Sequence, residues 1–215
     1  TPWRIITIGS LKTITESTMG TDLADPSTVA DTSFIKSGIA SWSWVLLKDE
    51  SVNYETTHKF IDYAAAMNWP YCLIDADWDT RIGDEKMKEL SAYAKGKNVK
   101  LLLSKLNELG IAGIKVDFFG GDGQSMIAYY HDMLTDAAAH KLVINLHGAT
   151  LPRGWQRTYP NLLTTEAVKG YEYITFFQDI ADLAPTHCAM LPFARNVFDP
   201  MDFTPMVLDS IPNIT

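Results

Sequence analysis

The chain has 215 residues and a formal net charge of −8, from 26 acidic and 18 basic side chains. That is enough for one domain with a sizeable core, and short for a complete (β/α)8 barrel, which takes about 250 residues. The acidic balance argues against a nucleic-acid face, no apolar run is long enough to span a bilayer, and Cys72 and Cys188 have the spacing of neither a zinc site nor a redox pair.

The opening Thr1-Pro2-Trp3 carries no signal-peptide pattern and reads as the start of a fragment cut from something larger. Residues 3–8 (WRIITI) are apolar and β-branched, as a strand should be. The stretch that follows is rich in Thr, Ser and Asp, so residues 1–30 are expected to be a lead-in from a preceding domain and 31–215 a catalytic barrel. Residues 39–44 are the candidate first barrel strand, with Trp42 and Trp44 on one face. An amphipathic helix over 53–67 places Phe60, Ile61, Ala64 and Ala65 on one stripe and ends at Asn68-Trp69-Pro70. The strand 71–74 runs into Asp75-Ala76-Asp77-Trp78, where Asp75 and Asp77 share a face. A helix over 85–94 leads to a strand over 99–103.

There the pattern breaks. Residues 104–109 (SKLNEL) read as the end of a helix closed by Gly110, yet a parallel crossover takes a dozen or more residues. A loop and part of a helix are expected to be missing at this point. The strand 111–116, a glycine-rich turn and a long helix over 125–140 restore the alternation. Residues 142–146 form a strand ending in His147-Gly148, and 161–165 lead to Glu166 near another strand end. Residues 176–187 look irregular, and 190–193 read as a last short strand before Arg195. Strand–helix alternation predicts a parallel α/β fold. Polar groups on at least five strand ends favour a (β/α)8 TIM barrel, here incomplete, over a doubly wound sheet.

The chemistry-bearing candidates are Asp75, Asp77, Lys115, Asp117, Asn145, His147, Glu166, Glu172 and Arg195. Lys115 and Asp117 share a strand face, and an inward lysine needs a carboxylate or polar ligand. The Gly-Gly-Asp-Gly turn at 120–123 lacks the Lys-Ser/Thr of a phosphate loop. Asp117 could simply cap the helix that follows, and Trp44 and Trp78 could pack rather than stack on a sugar. A divalent ion on Asp75, Asp117 and His147 would make a metal-dependent hydrolase. Two carboxylates on separate strand ends, with tryptophans nearby, also suit glycoside hydrolysis, and a non-catalytic sugar-binding barrel is the bland reading.

Residues 114–124 (IKVDFFGGDGQ), Asn145-Leu146-His147-Gly148, 157–173 (RTYPNLLTTEAVKGYEY) and 191–205 (LPFARNVFDPMDFTP) closely resemble the catalytic barrel of glycoside hydrolase family 97. The family's α-glucosidases and α-galactosidases carry an N-terminal β-sandwich, a (β/α)8 barrel and a C-terminal β domain, and bind calcium. Its inverting branch has a general-base glutamate where this chain has Gly148. Its retaining branch has an aspartate nucleophile that matches Asp117. The resemblance therefore implies retention with Asp117 as nucleophile and Glu172 as acid/base, and an α-galactosidase, with an α-glucosidase of the same family as the alternative. It implies calcium at Glu166 and Glu172, and sugar contacts from Asp75, Asp77, Trp78, Lys115, His147 and Arg195. It also implies an oligo- or polysaccharide substrate and a periplasmic or secreted location.

Overall fold

The structure, a computed structural model, describes residues 4–103, 109–197 and 199–204. Its centre is a curled, open parallel sheet whose strands follow chain order: β1 (Ala40–Trp42), β2 (Tyr71–Ile74), β3 (Lys100–Leu103), β4 (Gly113–Val116), β5 (Val143–Leu146) and β6 (Leu162–Thr165). Helices flank it, and the whole is an α/β fold forming part of a TIM barrel. No helix among the described residues is long and apolar enough to cross a membrane.

Three helices pack on the outside, and each ends in the same way. Tyr54–Ala66, Asp84–Gly96 and Gln124–Ala139 are followed by Asn68, Asn98 and Lys141, all with positive φ. The next residue then bonds back into the last turn: Trp69 N–H to Ala64, Val99 to Ala94 and Leu142 to Ala137, at 2.8–2.9 Å. This is the Schellman closure, which satisfies stranded carbonyls and turns the chain toward the sheet. It recurs where an alanine precedes Asn or Lys by four residues, a repeat that composition alone hides. At the other end, the Asn53 side chain caps the first of these helices by accepting from Thr56 N–H at 2.8 Å.

Alternation along each strand sorts side chains between two faces. Outward residues join the helices. Cys72, Ile74, Leu101 and Leu103 pack with Ile61, Ala64, Met87 and Leu90. Ile114, Ile144 and Leu146 pack with Tyr130 and Leu134. Inward residues Tyr71, Leu73, Leu102, Val143 and Leu163 fill the interior of the curl. Gly113 faces inward beside Val143, whose carbonyl a Cβ there would strike.

Several expected elements differ. The described residues 4–8 form no strand, and Ile6 and Ile8 are exposed; β-propensity without a partner strand makes no sheet. Residues 176–187 are not irregular throughout, and 190–193 are not a strand: both run into the helix Gln178–Ala194, which contains Pro185 and Pro192. A four-residue apolar run cannot tell strand from helix by period. Trp44 leaves the strand to start a helical turn, Trp44–Leu47. The helix end read at 104–109 falls mostly on residues outside the described part. β3 and β4 nevertheless pair in parallel, Leu102 with Gly113 and Leu103 with Ile114. The lead-in stretch is bonded to the segment before β6: Thr28 N–H donates to Thr158 O, Thr158 Oγ1 to Asp25 O, and Arg157 to Asp22 O.

Candidate active site

The inward face of the sheet delivers the site by simple register. Two residues beyond inward Leu73 lies Asp75, two beyond Lys115 lies Asp117, and two beyond Asn145 lies His147. Glu166 follows β6 directly, and Glu172 rides on the short 3-10 turn Tyr171–Thr175. All sit at the C-terminal ends of parallel strands, the end where barrel sites are built.

Lys115 is 4% exposed. Its Nζ lies 3.8 Å from Asp75 Oδ2, 3.8 Å from Asp117 Oδ2 and 4.1 Å from the centre of the Trp42 ring. Trp42 Nε1–H in turn donates to Asp75 Oδ2 at 2.9 Å. A buried ammonium thus meets two carboxylates and a π face, which is what its burial requires. Because Lys115 stands between Asp75 and Asp117, the metal set Asp75–Asp117–His147 is not assembled.

Asp117 is held at both oxygens. Oδ1 accepts from Phe118 N–H at 2.6 Å, and Oδ2 faces His147 Nδ1 at 2.9 Å. Burial opposes its ionisation, but the His147 hydrogen bond, Lys115 and the Phe118 N–H outweigh it, and its carboxyl sits below the ordinary aspartate range. Gly148, at φ +52, closes over this carboxylate: a Cβ at 148 would come within 3.0 Å of Asp117 Oδ1. A glycine is required here twice over, by conformation and by space.

The other edge of His147 meets two more carboxylates. Nε2 lies 3.2 Å from Glu166 Oε1 and 3.6 Å from Glu172 Oε2. Glu166 Oε2 accepts from Gly148 N–H at 2.7 Å. Burial pushes the Glu172 carboxyl above its ordinary value, against the pull of His147 and Lys115. Burial likewise raises Glu166, against His147 and Gly148 N–H. For His147, burial disfavours the charged ring, but the Asp117 bond and the neighbouring carboxylates carry its pKa upward overall.

His147 Nε2, Glu166 Oε1 and Glu172 Oε2 are buried without a hydrogen-bond partner, and the three groups could hold a metal ion. With Nδ1–H given to Asp117, a neutral ring turns its Nε2 lone pair on two carboxylate oxygens. A proton on the ring or on one of the carboxyls relieves that arrangement, and so does a metal, with Asp117 then behind the histidine as its orienting carboxylate. The donor set therefore fits a metal, and its two carboxylates are ligands that calcium accepts.

The remaining candidates separate. Asp77 is exposed in a left-handed turn, φ +65, and shares a small hollow with Trp44, Asp75 and Arg81. Trp78, expected to meet the sugar, is 1% exposed and packs in the outer core with Ile61 and Met87. The left-handed turn at Asp77 starts a new helix and swings the indole away from the barrel interior. Arg195 is buried, with its two terminal nitrogens on the carbonyls of Thr165 (2.7 Å) and Asp199 (2.9 Å), so it braces the end of β6. Trp44 stacks on Trp42, ring centres 5.6 Å apart. Two participants were not singled out from the sequence. Asp202 accepts from Asn145 Nδ2 at 3.1 Å, and Lys48 reaches the Glu172 turn. The residues around Asp202 lie in the 191–205 stretch quoted above; nothing local marks Lys48.

The profile of the family described as Glycoside hydrolase 97 matches residues 34–168. A "Probable retaining alpha-galactosidase" of Streptomyces bingchenggensis is 36% identical over 234 residues, covering 95% of this chain and 36% of that protein. The "Retaining alpha-galactosidase" of Bacteroides thetaiotaomicron is 32% identical over 236 residues, covering 94% and 35%. Among solved structures, a beta-arabinopyranosidase superposes with TM-score 0.85 at 38% identity, over 92% of this chain and 36% of that one. A glycoside hydrolase family 97 enzyme from Pseudoalteromonas sp. strain K8, in complex with panose, gives 0.73 at 22% identity over 93% and 39%, a likeness of fold alone. The chain spans about a third of the length of the curated relatives it matches.

Proposed function

The chain belongs to glycoside hydrolase family 97, and on that premise we propose that it is the catalytic barrel of a retaining α-galactosidase. The observation that carries the reading is geometric: two carboxylates flank one imidazole, Asp117 at 2.9 Å from His147 Nδ1 and Glu172 at 3.6 Å from Nε2. Before any metal binds, their surroundings lower the Asp117 carboxyl and raise that of Glu172. A double displacement needs that asymmetry.

In the first step an Asp117 oxygen bonds to the anomeric carbon while the glycosidic C–O bond breaks, and Glu172 gives its proton to the departing oxygen. In the second, Glu172 takes a proton from water as the water oxygen bonds to that carbon and the ester to Asp117 breaks. Two inversions leave the configuration retained. His147 and the Phe118 N–H orient the nucleophile, and Lys115 keeps it charged. Asp75, Lys115 and His147 would meet sugar hydroxyls, and Asp77 would add a contact at the rim. Gly148 supports the reading, because the space a side chain would take there is the space the Asp117 carboxylate fills. Calcium, held by Glu166 and Glu172, would supply positive charge to polarise a sugar hydroxyl or a water. Preceding and following β domains and an exported location remain part of this proposal.

A second specificity has its own support in the beta-arabinopyranosidase likeness. An L-arabinopyranoside of β configuration matches an α-D-galactoside at every ring centre and lacks only the hydroxymethyl group. The mechanism is common to both, and the ratio of kcat/KM on the two aryl glycosides decides between them.

The test is Asp117→Ala in the full natural protein, with azide added. Rescue giving a β-galactosyl azide is expected. No rescue, together with an active Glu172→Gln variant, would overturn the assignment.

A further inference from the structure

Lys48 stands out because three unrelated observations converge on it. Its backbone, φ 56 and ψ −159, lies in a region that only glycine visits readily. Its ammonium sits between two aromatic rings, 4.4 Å from the centre of Trp44 and 4.7 Å from that of Phe176. Its hydrogen bond goes to a neutral hydroxyl, Thr175 Oγ1, at 2.7 Å and across 127 residues of chain. That hydroxyl donates its own O–H to the carbonyl oxygen of Glu172 at 2.6 Å. A half-buried lysine with its backbone in this conformation, spent on a threonine, calls for a reason beyond an ordinary surface ion pair.

The reason is where the two ends are anchored. On one side Lys48 N–H bonds Trp44 O at 2.8 Å, and Trp44 lies flat on Trp42, which is bonded to Asp75. That side is fixed to the floor of the site. On the other side Thr175 closes the 3-10 turn Tyr171–Thr175, whose second residue is Glu172. Among the described residues, the link from Lys48 through Thr175 to the Glu172 carbonyl joins the floor at the end of β1 to the turn after β6, the two open edges of the sheet.

We propose that Lys48 is a positioning residue for Glu172: through Thr175 it fixes the turn that carries the acid, and so aims the carboxyl at the glycosidic oxygen. This rests on the reading of Glu172 as acid/base. Lys48 moves no proton itself.

A residue that aims the acid matters most when the leaving group needs a proton. We therefore compare Lys48→Met, Thr175→Val and Glu172→Gln in the full natural protein. The substrates are aryl galactosides running from dinitrophenyl, which departs unaided, to phenyl, which does not. Lys48→Met and Thr175→Val are expected to lose about 10- to 100-fold in kcat/KM on the phenyl glycoside and less than about threefold on the dinitrophenyl one. Glu172→Gln should show the same steepening in stronger form. Thr175→Val keeps the shape of the side chain and removes only the hydroxyl, so it carries the test if Lys48→Met unfolds, with the thermal midpoint reporting which has happened. An equal loss on every leaving group, or no loss, overturns the role of Lys48. If Glu172→Gln steepens the dependence and the other two do not, this proposal alone falls. If Glu172→Gln is flat as well, the acid/base assignment falls with it.

Discussion

Replacing Gly148 with alanine puts a methyl group where the Asp117 carboxylate lies. The new carbon would stand about 1 Å inside the ordinary 3.4 Å contact distance from Asp117 Oδ1, and 3.0 Å from Phe118 N. The oxygen must therefore retreat by about 1 Å. It cannot do so freely, because it is bonded to Phe118 N–H at 2.6 Å and its partner oxygen faces His147 at 2.9 Å. A displacement of about 1 Å at a reacting atom costs on the order of 100-fold in rate, or about 2.7 kcal/mol of transition-state stabilisation. Alanine at a positive φ adds about 1–2 kcal/mol of backbone strain, which in a domain of this size lowers the melting midpoint by about 2–8 °C. The assay is kcat/KM on an activated aryl galactoside at a temperature well below both midpoints, alongside thermal unfolding. A Gly148→Ala protein that keeps its rate within about threefold would refute the reasoning, since the proposed nucleophile would then tolerate a neighbour that the geometry forbids.

Three further outcomes follow from the same site. Lys115→Met removes a charge that lowers the Asp117 pKa, so that pKa rises; since the proposed nucleophile must be ionised, the acid limb of the kcat/KM profile should move to higher pH, and an unmoved limb contradicts the pairing. Chelation should lower both activity and melting midpoint, with calcium restoring them and Glu166→Gln weakening the restoration; a site filled at 100 times its Kd contributes about 2.7 kcal/mol, large enough to see by calorimetry. Arg195→Met strips partners from two buried carbonyls, so about 1–3 kcal/mol of stability should go while KM stays put; a raised KM with an unchanged urea midpoint would return Arg195 to the substrate.

What the sequence makes legible is what obeys a short period. Lys115 and Asp117, or Asn145 and His147, share a face because alternation in a strand is rigid, and their convergence follows once the strands are parallel. Trp78 escapes this logic: one residue earlier, Asp77 turns left-handed and resets the direction of the chain. Residues 190–193 escape it for the opposite reason, a run too short to show any period, carrying a proline that a helix here tolerates. Arg195 reads in the sequence as a lone cation, and its two carbonyl partners, on Thr165 and Asp199, come into view only in the fold. Lys48 and Asp202 lie far in sequence from what they touch, and only the closing curve of the sheet brings them there.

The order of the sheet has a consequence for synthesis on the ribosome. Every strand bonds the one made just before it, so no strand waits for a distant partner. Ala40 and Tyr71, paired in the finished sheet, leave the ribosome a few seconds apart at the usual rate of about 5–20 residues per second. Docking is far faster than that, so the sheet can grow one strand at a time, with a single fresh edge exposed at each stage. The groups proposed for chemistry arrive late: Asp117, then His147, then Glu166 and Glu172. Lys115 therefore emerges with Asp75 already made and Asp117 two residues behind it, while His147, Glu166 and Glu172 reach the site only as β5 and β6 are added.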